Sequence, residues 1–335
     1  MSKQSNIDEN GITRRNFLTG VMAAGAAASI YPRSVIGAPR PNLDKISICI
    51  FSKHLQWLDY DGMGETAAEI GFDGVALTVR RGGHVQPRRA EDDMPKAVEA
   101  TRKAGIDVPM IVSGISDPDN PNTEKVLKTA SGLGVKYYRM GYQKYNETDD
   151  IPIQLEKFKK TLSEIAALNR KYKIYGGNQN HAGRNYHGAS IWDQWLVYKD
   201  LDPDWIGFQY DLAHSVTAGG LGSWQIDMRL IADRIGMLAM KAAPEWDNPE
   251  WHKSTKWGWT REWFVPTVYD MKWYLALLKK INFSGPISMH YEYPGLGGAE
   301  TGKRKLEGIS RKEFIAKVKS KLVFFREMLK EAEII

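Results

Sequence analysis

The chain of 335 residues is long enough for one large domain or two ordinary ones, and its 42% hydrophobic residues and 11 Trp belong to a globular protein with a sizeable core. A net charge of +6, with the basic residues spread out rather than in blocks, makes no strong case for a nucleic-acid partner. The one cysteine, Cys49, excludes an intramolecular disulfide and a cysteine-based zinc site, and inside its apolar run it reads as inert core.

The first stretch stands apart. Thr13-Arg14-Arg15-Asn16-Phe17-Leu18 precedes a short, mildly apolar Ala/Gly run ending near Ile30. Twin arginines before such a run resemble a twin-arginine export signal. The run is too short for a membrane span, which needs roughly 20 apolar residues. The expectation is a leader and linker over residues 1–40, a mature chain from about Pro41, and a periplasmic or exported protein. No cysteine lies beside the leader, so no stable membrane anchor is expected.

From Lys45 the pattern alternates. Apolar runs bounded by turn residues predict strands at 46–51, 72–79, 108–112, 135–140, 173–177, 205–210, 237–241 and 286–291. Helical periodicity predicts helices at 61–70, 92–104, 123–133, 152–172, 190–199, 224–235, 268–281 and 311–332. The 152–172 helix carries Leu155, Phe158, Leu162, Ile165 and Leu168 on one face. An irregular segment, 244–266, holds five Trp. Alternating strands and helices imply parallel pairing with right-handed crossovers. Eight such units fit an α/β fold of the (β/α)₈ TIM barrel type, in one domain from residue 41 to 335. The alternative is an open doubly wound sheet. No Gly-x-Gly-x-x-Gly follows the first strand, so no nucleotide cofactor is expected.

In a barrel, chemistry gathers at the C-terminal strand ends. After strand one come Lys53 and His54, and after strand two Arg80, Arg81 and His84. Arg139 ends strand four, and Asn178-Gln179-Asn180-His181 follows strand five. Asp211 and His214 follow strand six, Lys241 ends strand seven, and His290 and Glu292 lie two apart in strand eight. His54, His84 and Arg139 are candidates for substrate binding, as is Trp246, because Trp faces stack on the apolar C–H groups of sugar rings. Each has a plainer reading. The histidines could be loop residues, Arg139 could pair with a carboxylate, Lys241 could reach solvent, and Asp211 could cap the next turn.

Gln179-Asn180-His181, then Tyr210-Asp211-x-x-His214, a strand-seven lysine, and His290-Tyr291-Glu292-Tyr293 together resemble the xylose isomerase-like barrel superfamily of sugar isomerases and epimerases. The resemblance implies one divalent metal (Mn, Mg, Co, Ni or Zn), held by a Glu, an Asp, a His and a Glu from strands five to eight. Asp211 and Glu292 match two of these. His214 matches a histidine that contacts substrate hydroxyls. Gln179 stands where the strand-five Glu should be, a neutral ligand at best, and Lys241 or Ala239 stands where the strand-seven His should be.

Gln179 cannot serve as a second base, which disfavours symmetrical two-base epimerisation. The expectation is an exported enzyme that abstracts a proton next to a sugar carbonyl with metal assistance. Glu292 or His290 would be the base and His181 or His214 the acid. Lys241 would act as electrophile, or as a base with a lowered pKa. The alternatives are a one-base keto-sugar lyase or dehydratase, and a non-catalytic carbohydrate-binding barrel. An apurinic endonuclease would need three metals and a richer His/Glu set. The expected partner is a small carbohydrate. Family members often pair, so the resemblance allows a homo-oligomer, although the sequence itself does not fix the oligomeric state.

Overall fold

The structure is a computed structural model that describes residues 45–241 and 270–335. The leader, the Trp-rich segment and with it Trp246 lie outside the described residues.

Eight parallel strands close on themselves in sequence order. They are β1 (Ile48–Phe51), β2 (Gly74–Val79), β3 (Asp107–Ser113), β4 (Tyr137–Arg139), β5 (Tyr175–Gln179), β6 (Ile206–Asp211), β7 (Ile235–Met240) and β8 (Ile287–Met289). Closure is made by β1 pairing with β8, Cys49 opposite Ser288, which removes the open doubly wound alternative. The helices around the sheet are α1 (Tyr60–Ile70), α2 (Ala90–Lys103), α3 (Pro121–Gly132), α4 (Ile151–Tyr172), α5 (Ile191–Tyr198), α6 (Leu212–Gly219), α7 (Trp224–Leu230), α8 (Met271–Lys280) and α9 (Arg311–Glu331).

The helix ends follow local chemistry. Asp59 caps α1 by accepting the Gly62 N–H, and Gly71 ends it at φ 104°, which only glycine adopts cheaply. Ser310 and Glu313 close α9 with a reciprocal capping box. Several boundaries differ from the sequence reading by a few residues, and two of them have a clear local cause. The helix expected to reach residue 235 stops at Leu230, and a short 3₁₀ turn, Ala232–Arg234, leads into β7. Strand eight stops at Met289, because the next free backbone donor, Tyr291 N–H, goes to His54 Nε2 instead of a neighbouring strand. The eight-residue α6 was not anticipated; its first turn is nucleated by Asp211, whose Oδ1 accepts the His214 N–H.

Side chains alternate across each strand, so every second residue points into the barrel. Cys49, Phe51, Ala76, Met110, Val112, Tyr137, Tyr175 and Met237 form a separate apolar cluster there, and burial pushes the Cys49 thiol far above its usual range, as inert core requires. A larger apolar layer packs helices on the outside of the sheet. The same alternation carried upward, Tyr137 to Arg139, Tyr175 to Gln179, Gly207 to Asp211 and Met237 to Lys241, turns an apolar floor into a polar rim.

The Tyr175 ring crosses the barrel and donates its hydroxyl to the Arg234 carbonyl while accepting the Phe208 N–H. Space for it comes from two glycines on neighbouring strands. A Cβ on Gly207 would lie 2.2 Å from the Tyr175 Oη, and one on Gly236 2.3 Å from its ring. Gly207→Ala is therefore expected to destabilise the fold by about 1–3 kcal/mol through overpacking. Gly132→Ala, at the end of α3 with nothing within 4 Å, should be neutral or slightly stabilising. Chemical denaturation midpoints distinguish the two.

Candidate active site

The C-terminal ends of β4 to β8 deliver one continuous polar network. Lys241 is at its centre, 4% exposed. Its Nζ lies 3.0 Å from His214 Nε2, 3.1 Å from Asp211 Oδ2 and 3.2 Å from Glu292 Oε2. An ammonium has three N–H donors, and each has an acceptor here. Burial disfavours the charge, but the carboxylates of Asp211 and Glu292 outweigh it and hold the Lys241 pKa above its ordinary 10.5. The expectation of a lysine with a lowered pKa acting as a base is thereby reversed: buried lysines lose their proton when alone, and this one has two anions.

Glu292 is gripped from both sides. Lys53, on the turn after β1, donates to Oε1 at 2.7 Å. Burial would raise the Glu292 pKa, but Lys241 and Lys53 hold it well below the ordinary 4.5. Asp211 is wholly buried. The side-chain amide of Asn180 brackets its backbone, donating to the Asp211 carbonyl at 2.9 Å and accepting its N–H at 2.8 Å.

Gln179 ends β5 with both lone-pair positions of its side-chain oxygen and one of its two amide hydrogens in use. Its Nε2 donates to Asp211 Oδ2 at 2.6 Å, and its Oε1 accepts from Arg139 Nη1 and the Tyr142 hydroxyl, both at 2.8 Å. The network fixes the amide orientation, because the carbonyl oxygen faces two donors and the amino group faces a carboxylate. The oxygen expected to ligate a metal is thus already saturated.

A divalent metal of the kind the resemblance implied does not fit these residues. The position between Asp211, Glu292 and His214 holds the Lys241 ammonium, Gln179 Oε1 is committed to two donors, and β7 offers no imidazole. Among the described residues no three His, Cys, Asp or Glu side chains are grouped to hold a metal ion. The sequence reading placed Gln179, Asp211 and Glu292 in one site, and they do meet there. What joins Asp211 to Glu292 is a lysine.

The imidazoles are neutral. Burial and the nearby Lys241 charge hold His214 and His290 well below 6.5, and burial with the neighbouring His214 brings His181 to about 3. Since Lys241 is the donor, His214 Nε2 is the acceptor. The His181 and His214 rings meet at 4.1 Å, tilted by 37°, and His181 stacks on Tyr186 at 4.6 Å. Neither is the protonated acid expected from the sequence. His290 packs over Phe51 at 4.5 Å.

Two residues expected to bind substrate are committed within the protein. His54 Nε2 accepts the Tyr291 N–H at 2.9 Å and its Nδ1 donates to the Ala299 carbonyl at 3.0 Å, so the buried ring pins the start of the β8 loop and thereby Glu292. Burial holds it neutral, with a pKa of about 3. His84 sits at one side, 3.3 Å from Thr78 Oγ1 and 3.2 Å from the Leu55 carbonyl. Arg139 does reach the network, through Gln179. Tyr142 was missed, because it lies three residues beyond β4 in a segment with no regular pattern. Lys53 and Asn180 were visible at strand ends, but nothing in the sequence assigned their partners.

Comparison with known proteins follows the geometry. A D-psicose 3-epimerase from Clostridium cellulolyticum, solved with D-tagatose, is 15% identical with a TM-score of 0.62, covering 85% of this chain and 99% of its own. A 3-keto-D-glucoside 4-epimerase from E. coli, in its apo form, is 11% identical with a TM-score of 0.56, covering 84% and 100%. The IOLI protein, solved with a zinc atom, is 13% identical with a TM-score of 0.60, covering 86% and 99%. At these identities the likeness is one of fold. Curated protein sequences gave no match. The model of the xylose isomerase-like TIM barrel family matches residues 65–312, and with a closed parallel barrel beneath that match, this chain belongs to the xylose isomerase-like TIM barrel family.

Proposed function

We propose that this protein is a sugar isomerase- or epimerase-like enzyme that takes a proton from the carbon beside a sugar carbonyl, with the Lys241 ammonium as the electrophile. The observation that carries the reading is Lys241 held charged between Asp211, Glu292 and His214 at the head of the barrel. Support for the substrate class comes from the fold neighbours, which include epimerases of D-psicose and of a 3-keto-D-glucoside. The twin-arginine stretch at Arg14-Arg15 supports export of the folded barrel, from about residue 41 onward, as part of the same reading.

Of the three acceptors on Lys241, Glu292 makes the longest contact, at 3.2 Å, and its side chain is 22% exposed against 7% for His214 and 0% for Asp211. A substrate carbonyl oxygen enters by taking that place. Glu292 then loses one of its two ammonium partners, and its pKa rises toward that of a usable base. The carboxylate takes the proton from the adjacent carbon, and the C–H electron pair becomes the C=C of an enediolate. The carbonyl π pair moves onto oxygen, where Lys241 N–H groups stabilise it. Return of the proton to the former carbonyl carbon, with the hydroxyl proton of the enediolate passing to the oxyanion as the second carbonyl forms, completes a 1,2-shift. Delivery to a departing hydroxyl gives elimination instead. Gln179 in place of a second carboxylate favours either one-base course over two-base epimerisation.

Deuterium wash-in tests the reaction. In D₂O the wild-type protein should exchange the hydrogen next to a keto-sugar carbonyl, and Glu292→Gln should lower that rate by about 10²–10⁴, the usual share of a positioned base. Equal exchange by the variant would remove Glu292 from the role. A binding protein would show no exchange with either.

The charge states set the pH response. Lys241 stays charged because its pKa is raised, Glu292 stays ionised because its pKa is lowered, and the imidazoles stay neutral because theirs are lowered. The kcat/KM profile should therefore be level from about pH 5 to 9, with no limb near the ordinary histidine value of about 6.5. Dialysis against EDTA should leave exchange unchanged, and native mass spectrometry after incubation with Mn²⁺, Co²⁺ or Zn²⁺ should show no one-to-one adduct. A stoichiometric adduct with EDTA-sensitive exchange would restore the metal.

A further inference from the structure

We infer that the substrate carries an anionic group, a carboxylate or a phosphate, and that Arg80 and Arg139 receive it. The inference rests on the reaction site proposed above and adds the chemical class of its substrate.

The charge balance of the barrel mouth is uneven. Among the described residues joined there by ion pairs, hydrogen bonds or ring contacts, four cations (Lys53, Arg80, Arg139 and Lys241) face two carboxylates (Asp211 and Glu292). Both carboxylates are already taken by the lysines. Arg139 gives one Nη1 hydrogen to the neutral oxygen of Gln179, while its Nε is buried with no hydrogen-bond partner, in a residue 5% exposed. Arg80 follows β2, is half-buried, and forms no ion pair or hydrogen bond among the described residues. Both guanidiniums rest on the same aromatic ring, with their central carbons 5.3 Å and 5.5 Å from the Phe51 centroid.

Two cations placed together with no ion pair of their own among the described residues oppose folding, and a ring face compensates a positive charge only weakly. Burial and the Arg139 charge together lower the Arg80 pKa to about 10, so it keeps its proton at neutral pH and the repulsion stands. Guanidinium cannot relieve the strain by deprotonating, as a lysine can. An oxyanion does relieve it, because a guanidinium is opposite in sign to a carboxylate or phosphate and offers either one two parallel N–H donors. The pair flanks the reaction centre: Arg139 reaches Asp211 through Gln179, and Glu292 is close enough to Arg80 to act on its pKa. The oxyanion therefore belongs to the molecule whose carbonyl meets Lys241.

Calorimetric titration of the full chain with D-fructose, D-fructose 6-phosphate and D-galacturonate tests this. At least one of the two anions should bind tighter than D-fructose by about tenfold or more, the worth of a charge-assisted hydrogen bond, and added salt should weaken that binding selectively. Which anion binds separates phosphate from carboxylate. Arg80→Gln should reduce the preference to near parity, and Arg80→Lys should restore part of it. Arg80 has no ion pair or hydrogen bond to lose among the described residues, so neither variant should melt below the wild-type temperature, and Arg80→Gln, which removes the repulsion from Arg139, should melt at or slightly above it. The inference is overturned if D-fructose binds as tightly as both anions, if the preference survives Arg80→Gln, or if neither anion binds a protein that melts normally. Deuterium wash-in is read separately. Anion preference without exchange removes the reaction and keeps the arginine site, whereas exchange confined to D-fructose removes the arginine site and keeps the reaction.

Discussion

A buried ammonium with two carboxylates and an imidazole around it is the contact on which the rest of the site depends. Lys241 brings a unit positive charge into the head of a barrel whose floor is apolar, and such a charge is tolerated only when it is fully bonded. Its three acceptors come from two different stretches, Asp211 and His214 on one and Glu292 on another. Each acceptor is held in turn: Asp211 by Asn180 and Gln179, His214 through its backbone N–H by Asp211, Glu292 by Lys53, and the backbone before Glu292 by His54. The protonation states follow from the same contact. The lysine charge keeps Glu292 ionised, and burial together with that charge keeps His214 and His290 neutral.

In the proposed reaction this arrangement would carry out electrostatically what a bound cation does in a ligand cage, with different limits. A metal accepts further ligands and draws a substrate oxygen into its own coordination sphere. An ammonium has only three hydrogens, and here all three are used, so a substrate oxygen enters by exchange. Under the proposed mechanism that requirement gives Glu292, the most exposed acceptor, two linked tasks. It neutralises Lys241 at rest, and on leaving that contact it becomes more basic. Charge is moved within the site, with no change in the charge the barrel has to bury.

The arginines make a second layer around this centre. Phe51, the last residue of β1, is both the top of the apolar floor and the surface on which Arg80, Arg139 and His290 rest. One ring therefore links barrel packing to the charge of the mouth. Histidines that looked like ligands in the sequence divide between these layers and the scaffold. The rings of His181 and His214 meet beside Lys241, while His54 and His84 spend their nitrogens on backbone carbonyls, an amide and a hydroxyl.

Much of this was legible along the chain, for a local reason. Alternation of apolar runs with helical periods reports burial on one face, and burial is set residue by residue, so eight strand–helix units and the C-terminal strand ends could be read directly. Gln179, Asp211, His214, Lys241, His290 and Glu292 were found because a polar residue at the end of an apolar strand contradicts its surroundings. The ends of β7 and β8 were read less well, because a side chain from elsewhere in the barrel, His54, decides where the β8 ladder stops. The partners of Lys241, the double use of Gln179 Oε1, the neutrality of the imidazoles and the meeting of Arg80 with Arg139 were decided only by the tertiary structure. Charge interactions act through space and scale with burial, and barrel closure sets both by bringing together residues as far apart in sequence as Lys53 and Glu292.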